Sequence, residues 1–380
     1  MVRKIKVFVT DASYKHTLAA VRSLGRKQIE VIAGSSSRYA QAFYSKYCKK
    51  KLIYPPLEEE TRFIRVMDRL LKTEKVDVLL PIGYQATAVL SKYQEQFSKR
   101  VQMPIAQQDS LRIAGNKNET LEFAEQLGLR IPRFYRKIDE INQFPVVIKG
   151  SEGAGQVWYA TSKKDLAKQH FDGQIIQEYI PGEGYGFFAL YNHGKLRAFF
   201  MHRRIREYPI TGGPSTAAES TYDPNLKQLG MKLLEGLNWH GVAMVEFKKD
   251  RRDGKYTLME VNPKFWGSLD LAISSGVDFP YLTAKMAMDG DIQPVYSYQV
   301  GNRFQWLFPD ELLHLAARPQ SVGSVLADFA NYHTKSNVTL RDIKPTMFQL
   351  FYTAWEFLTR IRKGELRYPH GIPSIGQKRK

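Results

Sequence analysis

Glu246, Glu260 and Asn262 are the residues of this chain whose types and spacing best suit shared chemistry. They fall on two strand-like runs, 241–249 and 256–263, separated by Asp250-Arg-Arg-Asp-Gly254. Aspartate supplies local side-chain hydrogen bonds and glycine a positive φ, so the junction reads as a hairpin turn. Side chains alternate along a strand, which puts Glu260 and Asn262 on one face and Val261 on the other. With an odd number of residues in the loop, Glu246 pairs across from Glu260 on that same face. Two carboxylates so close repel unless a cation lies between them. Hard oxygen ligands of this kind suit Mg²⁺ shared with substrate phosphates. A solvated hairpin face is the ordinary alternative, and the apolar neighbours Met244, Val245, Leu258 and Met259 argue against it.

Four further segments carry residues suited to a polyanion. The run Val146-Val-Ile-Lys149 ends in a lysine and enters Gly150-Ser-Glu-Gly-Ala-Gly155. Glycines such as Gly153 and Gly155 let backbone N–H groups approach phosphate oxygens. This is not a Walker loop, since no Gly-Lys-Ser/Thr follows, and many plain hairpin loops share its composition. Lys117 opens a helix at Asn116-Lys-Asn-Glu-Thr, where a cation opposes the macrodipole and a solvated surface role is the default. Gln177-Glu178-Tyr179-Ile180-Pro-Gly-Glu183 is a strand leaving into a Pro-Gly break. It is either a hinge whose backbone takes an adenine edge, with Glu183 on a ribose hydroxyl, or a strand end with exposed acids. Arg203, Arg204 and Arg206 precede Thr211-Gly212-Gly213-Pro-Ser215-Thr216. That pairing could hold an anionic substrate and cover it, or be a loop tip beside a basic edge strand.

The elements that must position these groups change character along the chain. Residues 1–112 alternate strand and helix, with strands at 5–10, 29–33 and 76–80, which argues for a small parallel α/β sheet. The first strand-to-helix turn, Thr10-Asp-Ala-Ser-Tyr-Lys-His, lacks Gly-x-Gly-x-x-Gly. A dinucleotide clamp, and with it a dehydrogenase, is disfavoured. From about residue 113 a helix ends at Gly128, a plausible C-cap. Strands then dominate at 145–149, 174–179, 186–190 and 196–201, and a helix at 224–236 precedes the hairpin. This is α+β texture with antiparallel sheets. Residues 296–380 are basic, aromatic and mostly helical.

Composition narrows the setting. The 380 residues are 43% apolar and 25% charged, the texture of a soluble globular chain with more than one core. One cysteine, Cys48, excludes an intramolecular disulfide and a cysteine-rich zinc site. No window approaches a membrane span, and charged residues interrupt the apolar stretch near Met1, so a cytoplasmic setting is expected. The net charge of +18 is compatible with nucleic acid, anionic lipid or a polyanionic small substrate, but no nucleic-acid-reading motif accompanies it. Residues 348–361 read as a helix with a broad apolar face, followed by a basic tail. Packing against the protein is the main expectation for that face, and peripheral contact with anionic lipid at the inner membrane face is the alternative.

Taken in order, Asn116-Lys-Asn-Glu-Thr, Val146-Val-Ile-Lys149 with its glycine loop, Gln177–Glu183, Val245-Glu246-Phe and Met259-Glu-Val-Asn-Pro263 resemble the ATP-grasp superfamily of carboxylate ligases. The texture is similar to carbamoyl-phosphate-synthase-like domains and stand-alone carboxylate–amine ligases. The resemblance implies an α/β plus α+β chain: a pre-ATP-grasp domain at 1–112, a two-lobed ATP-grasp domain at 113–295 dividing near residue 180, and a helical C-terminal region at 296–380. That last region would shape a substrate pocket or a homodimer contact. ATP would lie between the lobes, with Lys117 and Lys149 on its phosphates, the 178–180 backbone on adenine and Glu183 on the ribose. Glu246, Glu260 and Asn262 would hold two Mg²⁺, or Mn²⁺ in their place. Lys264 stands where the family commonly has arginine; it keeps the charge but loses the bidentate fork, which Arg203 or Arg204 would supply. The implied enzyme activates a small-molecule carboxylate as an acyl phosphate for attack by an amine, releasing ADP and phosphate, with Gly212, Gly213, Ser215 and Thr216 covering the reaction. A non-catalytic protein of the same fold, binding nucleotide or an anionic surface, is the alternative.

Overall fold

The computed structural model describes residues 4–150, 157–166, 174–210, 212–331 and 333–362. Three sheets organise them. The first is four-stranded and parallel, built from β1 (Lys6–Val9), β2 (Glu30–Ser35), β3 (Cys48–Ile53) and β4 (Val78–Leu80) in the order β3-β2-β1-β4. Its buried strands are near-continuous apolar runs, as a sheet covered on both faces requires. Edge strand β3, Cys48-Lys-Lys-Lys-Leu-Ile53, escapes sequence reading because three lysines interrupt it. Lysines on an edge discourage pairing with another chain.

The second sheet is small and antiparallel, with β5 (Phe134–Tyr135), β6 (Val146–Gly150), β7 (Val157–Ala160) and β8 (Gln174–Glu178) in the order β5-β8-β6-β7. It carries its own apolar cluster, including Val146, Ile148, Ala160, Leu166 and Ile176. The third has seven strands: β9 (Gly182–Asn192), β10 (Lys195–Glu207), β11 (Ser215–Ser220), β12 (Gly241–Asp250), β13 (Tyr256–Asn262), β14 (Arg303–Gln305) and β15 (Thr334–Ser336). Their order is β13-β12-β9-β10-β11-β14-β15.

Period-two alternation splits the large sheet's side chains between two cores. Phe188, Leu190, Ala198 and Phe200 join Val7, Val9 and Trp266 on the face toward the parallel sheet. Phe187, Ala189, Tyr191, Phe199 and Met201 bury the other face with Leu226, Leu233 and Leu234. Those leucines lie on the helix Pro224–Gly236, whose Asp223 cap accepts from the Asn225 and Leu226 amides.

One expectation changes here and another is extended. The basic run 203–206 is not on an edge strand, because β10 lies between β9 and β11. The C-terminal region, expected to be mostly helical, also supplies β14 and β15, which extend the large sheet beyond β11. Runs of three residues are too short to announce themselves. Phe304 and Trp306 join the core shared with the parallel sheet, and buried charge adds to their hold on this region. Arg206 pairs with Glu311 at 3.1 Å and with Asp328 at 2.7 Å, and Arg22 pairs with Asp342 at 2.9 Å. All five side chains are nearly inaccessible to solvent.

Removing one partner of such a set strands the others in a poorly solvating interior, at a cost of about 3–5 kcal/mol. Arg206→Leu should therefore lower the unfolding free energy by roughly that amount in urea titrations. Adding Glu311→Leu should recover part of the loss, because the second substitution removes a stranded charge.

Candidate functional site

The hairpin forms as its alternation requires. Glu246 on β12 is directly opposite Glu260 on β13, and Met244 is opposite Asn262. Asp250 sits at the turn with its amide donating to the Lys255 carbonyl, and Gly254 has φ of +72°. The register slips by one residue beyond Glu246, where Phe247 faces Leu258. Met259 is the extra residue, a β-bulge, and its carbonyl accepts from Lys149 Nζ at 3.3 Å. Thus a lysine of the small sheet reaches the acid pair of the large one.

Glu246, Glu260 and Asn262 line a cleft of about 1040 Å³ between the two sheets, at the upper end of ordinary ligand pockets. Lys117, Lys149, Arg204, Lys248 and Lys264 line it with them. Arg204 Nη2 lies 2.6 Å from Glu246 Oε1, and its Nη1 donates to the Gly213 carbonyl at 3.1 Å. Asn262 Nδ2 donates to Glu260 Oε1 at 2.8 Å. Gly184 is needed for this packing, since a Cβ there would meet Arg204 Cδ at 2.9 Å. Gly213 is needed too, because its Cβ would fall 2.1 Å from the Tyr208 backbone.

Burial governs the protonation of the acid pair, and the two partners diverge. Burial pushes Glu246 up, opposed by Arg204 and reinforced by Glu260. Burial also opposes ionisation of Glu260, but Lys149, Lys117 and the Asn262 hydrogen bond outweigh it and bring its pKa down. The pair therefore ionises in two steps as a unit. Lys149 is brought down to about 8 by burial, against the pull of Glu260. Burial likewise lowers Lys248 and Lys264. His202, on the cleft floor beside Ser268 Oγ at 2.9 Å, is held neutral, with a pKa near 3, by burial and then by Arg204.

The other expected site residues divide. Glu178, Ile180, Glu183, Gly212, Gly213 and Ser215 line the cleft. Glu178 is tied to Arg252 at 2.7 Å and its amide to the Arg133 carbonyl at 2.8 Å. Ile180 offers its carbonyl to Lys248 Nζ at 3.1 Å. The Tyr179 ring packs edge-on to Tyr159 with Lys248 Nζ 5.1 Å away. Thr216 is buried, and its carbonyl accepts from the Trp306 amide. Gly153 and Gly155 lie outside the described residues. Arg203 is a correction. It points away from the cleft, to Glu219 at 2.6 Å and Glu183 at 3.7 Å, because it alternates with Arg204 along β10.

Residues unforeseen from sequence complete the walls. Lys248 is two positions beyond Glu246, so alternation alone could have signalled it. Trp266, Ser268, His314, Arg318 and Ser321 also line the cleft. His314 lies 2.8 Å from the Glu207 carbonyl and 3.1 Å from Ser321 Oγ. No motif marks these last three. Asp11, on the loop after β1, senses Lys264 electrostatically.

Comparison with known proteins fits this architecture. A family described as "ATP-grasp in the biosynthetic pathway with Ter operon" matches residues 170–307. The fold is similar to an L-amino acid ligase from Bacillus licheniformis, with TM-score 0.62 and 17% identity over 78% of this chain and 79% of that one. An N5-carboxyaminoimidazole synthetase from Staphylococcus aureus, complexed with ADP, gives TM-score 0.63 and 14% identity over 79% and 82%. The fold is shared with these proteins, and the family model spans part of the chain.

Among curated relatives, the D-alanine–D-alanine ligase of Fusobacterium nucleatum is 33% identical over 75 residues, 19% of this chain and 26% of that protein. The D-aspartate ligase of Enterococcus faecium is 23% identical over 60% of this chain and 64% of that one. The match thus spans about a quarter of one relative and just under two thirds of the other.

A depressed lysine pKa has a testable sign. Lys149 is protonated below pH 8 and attracts an anion; above it the amine turns neutral and that attraction is lost. Affinity for ADP, measured by calorimetry, should fall about tenfold from neutral pH to well above the lysine pKa. In Lys149→Arg, which stays charged, the decline should shrink, leaving the part due to Lys248 and Lys264.

Proposed function

We propose that this chain is an ATP-grasp enzyme, an ATP- and magnesium-dependent ligase activating a small-molecule carboxylate as an acyl phosphate that an amine then captures, with release of ADP and phosphate. The observation that carries this reading is the acid pair Glu246 and Glu260, opposed across one register position and faced by cleft lysines from both sheets. A protein that merely bound nucleotide would have no need of two buried carboxylates held against each other.

The donor set fits a hard divalent ion. Two carboxylates and a carboxamide converge on one sheet face. Among the described residues no group of three or more His, Cys, Asp or Glu side chains gathers as a metal nest, so phosphate oxygens would complete the coordination. Magnesium, when bound, would screen the repulsion between an attacking carboxylate and the γ-phosphate.

The chain's own residues would do the rest. Lys149 and Lys117 would balance triphosphate charge from the small-sheet side, and the 178–180 segment with Glu183 would border the nucleoside. Arg204, now neutralising Glu246, is placed to turn its fork toward a substrate carboxylate. Lys264 would add a second positive charge near the transferred phosphoryl group. The 212–216 loop, tied to Arg204 through Gly213, would shield the acyl phosphate from water. Amino acids are the first carboxylates and amines to screen, since the relatives include D-alanine–D-alanine, D-aspartate and L-amino acid ligases.

The test is ADP release by purified protein with Mg-ATP across carboxylate–amine pairs, with hydroxylamine added to trap the acyl phosphate. Glu260→Gln and Lys149→Ala should each lose on the order of 10²–10³ in rate while keeping the far-UV spectrum of the parent. Undiminished turnover in either variant, or ADP release indifferent to every carboxylate, would sink the reading.

A further inference from the structure

Among the described side chains of the C-terminal helix, Lys344–Arg362, some meet the body of the protein and others are exposed. Phe348 stacks on Tyr44 with ring centroids 4.2 Å apart. On another side Met347, Phe351, Trp355 and Leu358 follow one another at helical spacing, and all are exposed; Phe351 is 70% and Trp355 68% accessible. The expectation that the apolar face packs against the protein thus holds for Phe348 and fails for this stripe. A run of large apolar side chains left in water marks an interaction surface.

The charge of the sequence that carries the stripe selects its partner. Residues 344–380 contain eight Lys or Arg against two Glu, within a chain of net charge +18. At the root of the helix Lys51 Nζ lies 5.0 Å from the Tyr44 ring that carries Phe348, and Lys46, Lys49 and Lys51 are exposed. Arg362 is exposed at the far end. A second copy of this chain would add its own excess of cations, which disfavours self-association through the stripe. No helix among the described residues is long and apolar enough to cross a membrane. An aromatic and aliphatic stripe flanked by cations instead suits the headgroup layer, where rings bury at the acyl boundary and lysines meet anionic lipid.

We propose that the stripe Met347, Phe351, Trp355 and Leu358 docks the protein on an anionic bilayer surface, with the helix lying in the plane of the headgroups. This is independent of the ligase reading, because none of these residues lines the cleft.

The full chain is sedimented with vesicles of equal phosphatidylglycerol and phosphatidylcholine, and with vesicles of phosphatidylcholine alone. Recovery on the anionic vesicles should exceed that on neutral ones by about tenfold and fall as added salt shortens the range of the attraction. The double variant Phe351→Ser/Trp355→Ser should lose the association yet bind ADP as the parent does, since both positions are already exposed. Equal recovery on neutral vesicles, or unaltered association of the double variant, would overturn the proposal. So would light scattering that finds a dimer which the double variant dissolves, since the stripe would then belong to a second copy.

Discussion

Two carboxylates that face each other across an antiparallel pair, out of reach of bulk water, set the terms for everything around them. Their repulsion is strengthened by the low polarity of the interior, so the surroundings must supply positive charge or force a proton onto one of them. This protein supplies the charge, while burial raises the Glu246 pKa. Arg204 closes on Glu246, Asn262 donates to Glu260, and lysines approach from the small sheet and from the residue after Pro263. The same burial that raises Glu246 weakens the protonation of Lys149. The cleft is thus a poised set of opposed charges, and a polyanion bringing its own cation would relieve the strain on both sides.

The fold serves this arrangement by giving each wall of the cleft a core of its own. The large sheet is buried on both faces by two apolar cores, so the strands that bear Glu246, Glu260 and Arg204 are fixed in register. The small sheet has a cluster of its own, and its Lys149 touches the large sheet through a single hydrogen bond to a bulged carbonyl. The small sheet is also joined to the hairpin of the large one by Glu178 with Arg252, so the two cleft walls have separate cores linked by side-chain contacts. Buried ion pairs hold the segment around Glu311, Asp328 and Asp342 against the body, which lets His314 and Arg318 enter the cleft wall.

Much of the acid side of the site was legible in the chain because strand geometry is local. The two-residue period fixes which of Val261 and Asn262 shares a face with Glu260, and the Asp-Gly chemistry of the turn fixes where the hairpin reverses. The same rule, carried one step further, separates Arg204 from Arg203 and adds Lys248; both were within reach of the sequence. The α/β rhythm before residue 112 and the helix at 224–236 are likewise local patterns of apolar spacing and capping. By contrast, the three-residue strands β14 and β15 hold no periodic signal, and the interrupted lysine run of β3 disguises a strand.

The amino-acid order by itself determined the hairpin, the identity of its acids, the lysine-ended strand and the family resemblance, since each depends on neighbours within a few residues. Tertiary structure alone decided that Lys149 reaches the Met259 carbonyl, that β10 brings Arg204 onto Glu246, and that the stripe on the last helix stays in water. Those outcomes depend on which segments, far apart along the chain, come to share a dry interior. Burial and long-range charge have no signature in local spacing, and they are what turn a set of acids and lysines into a cleft.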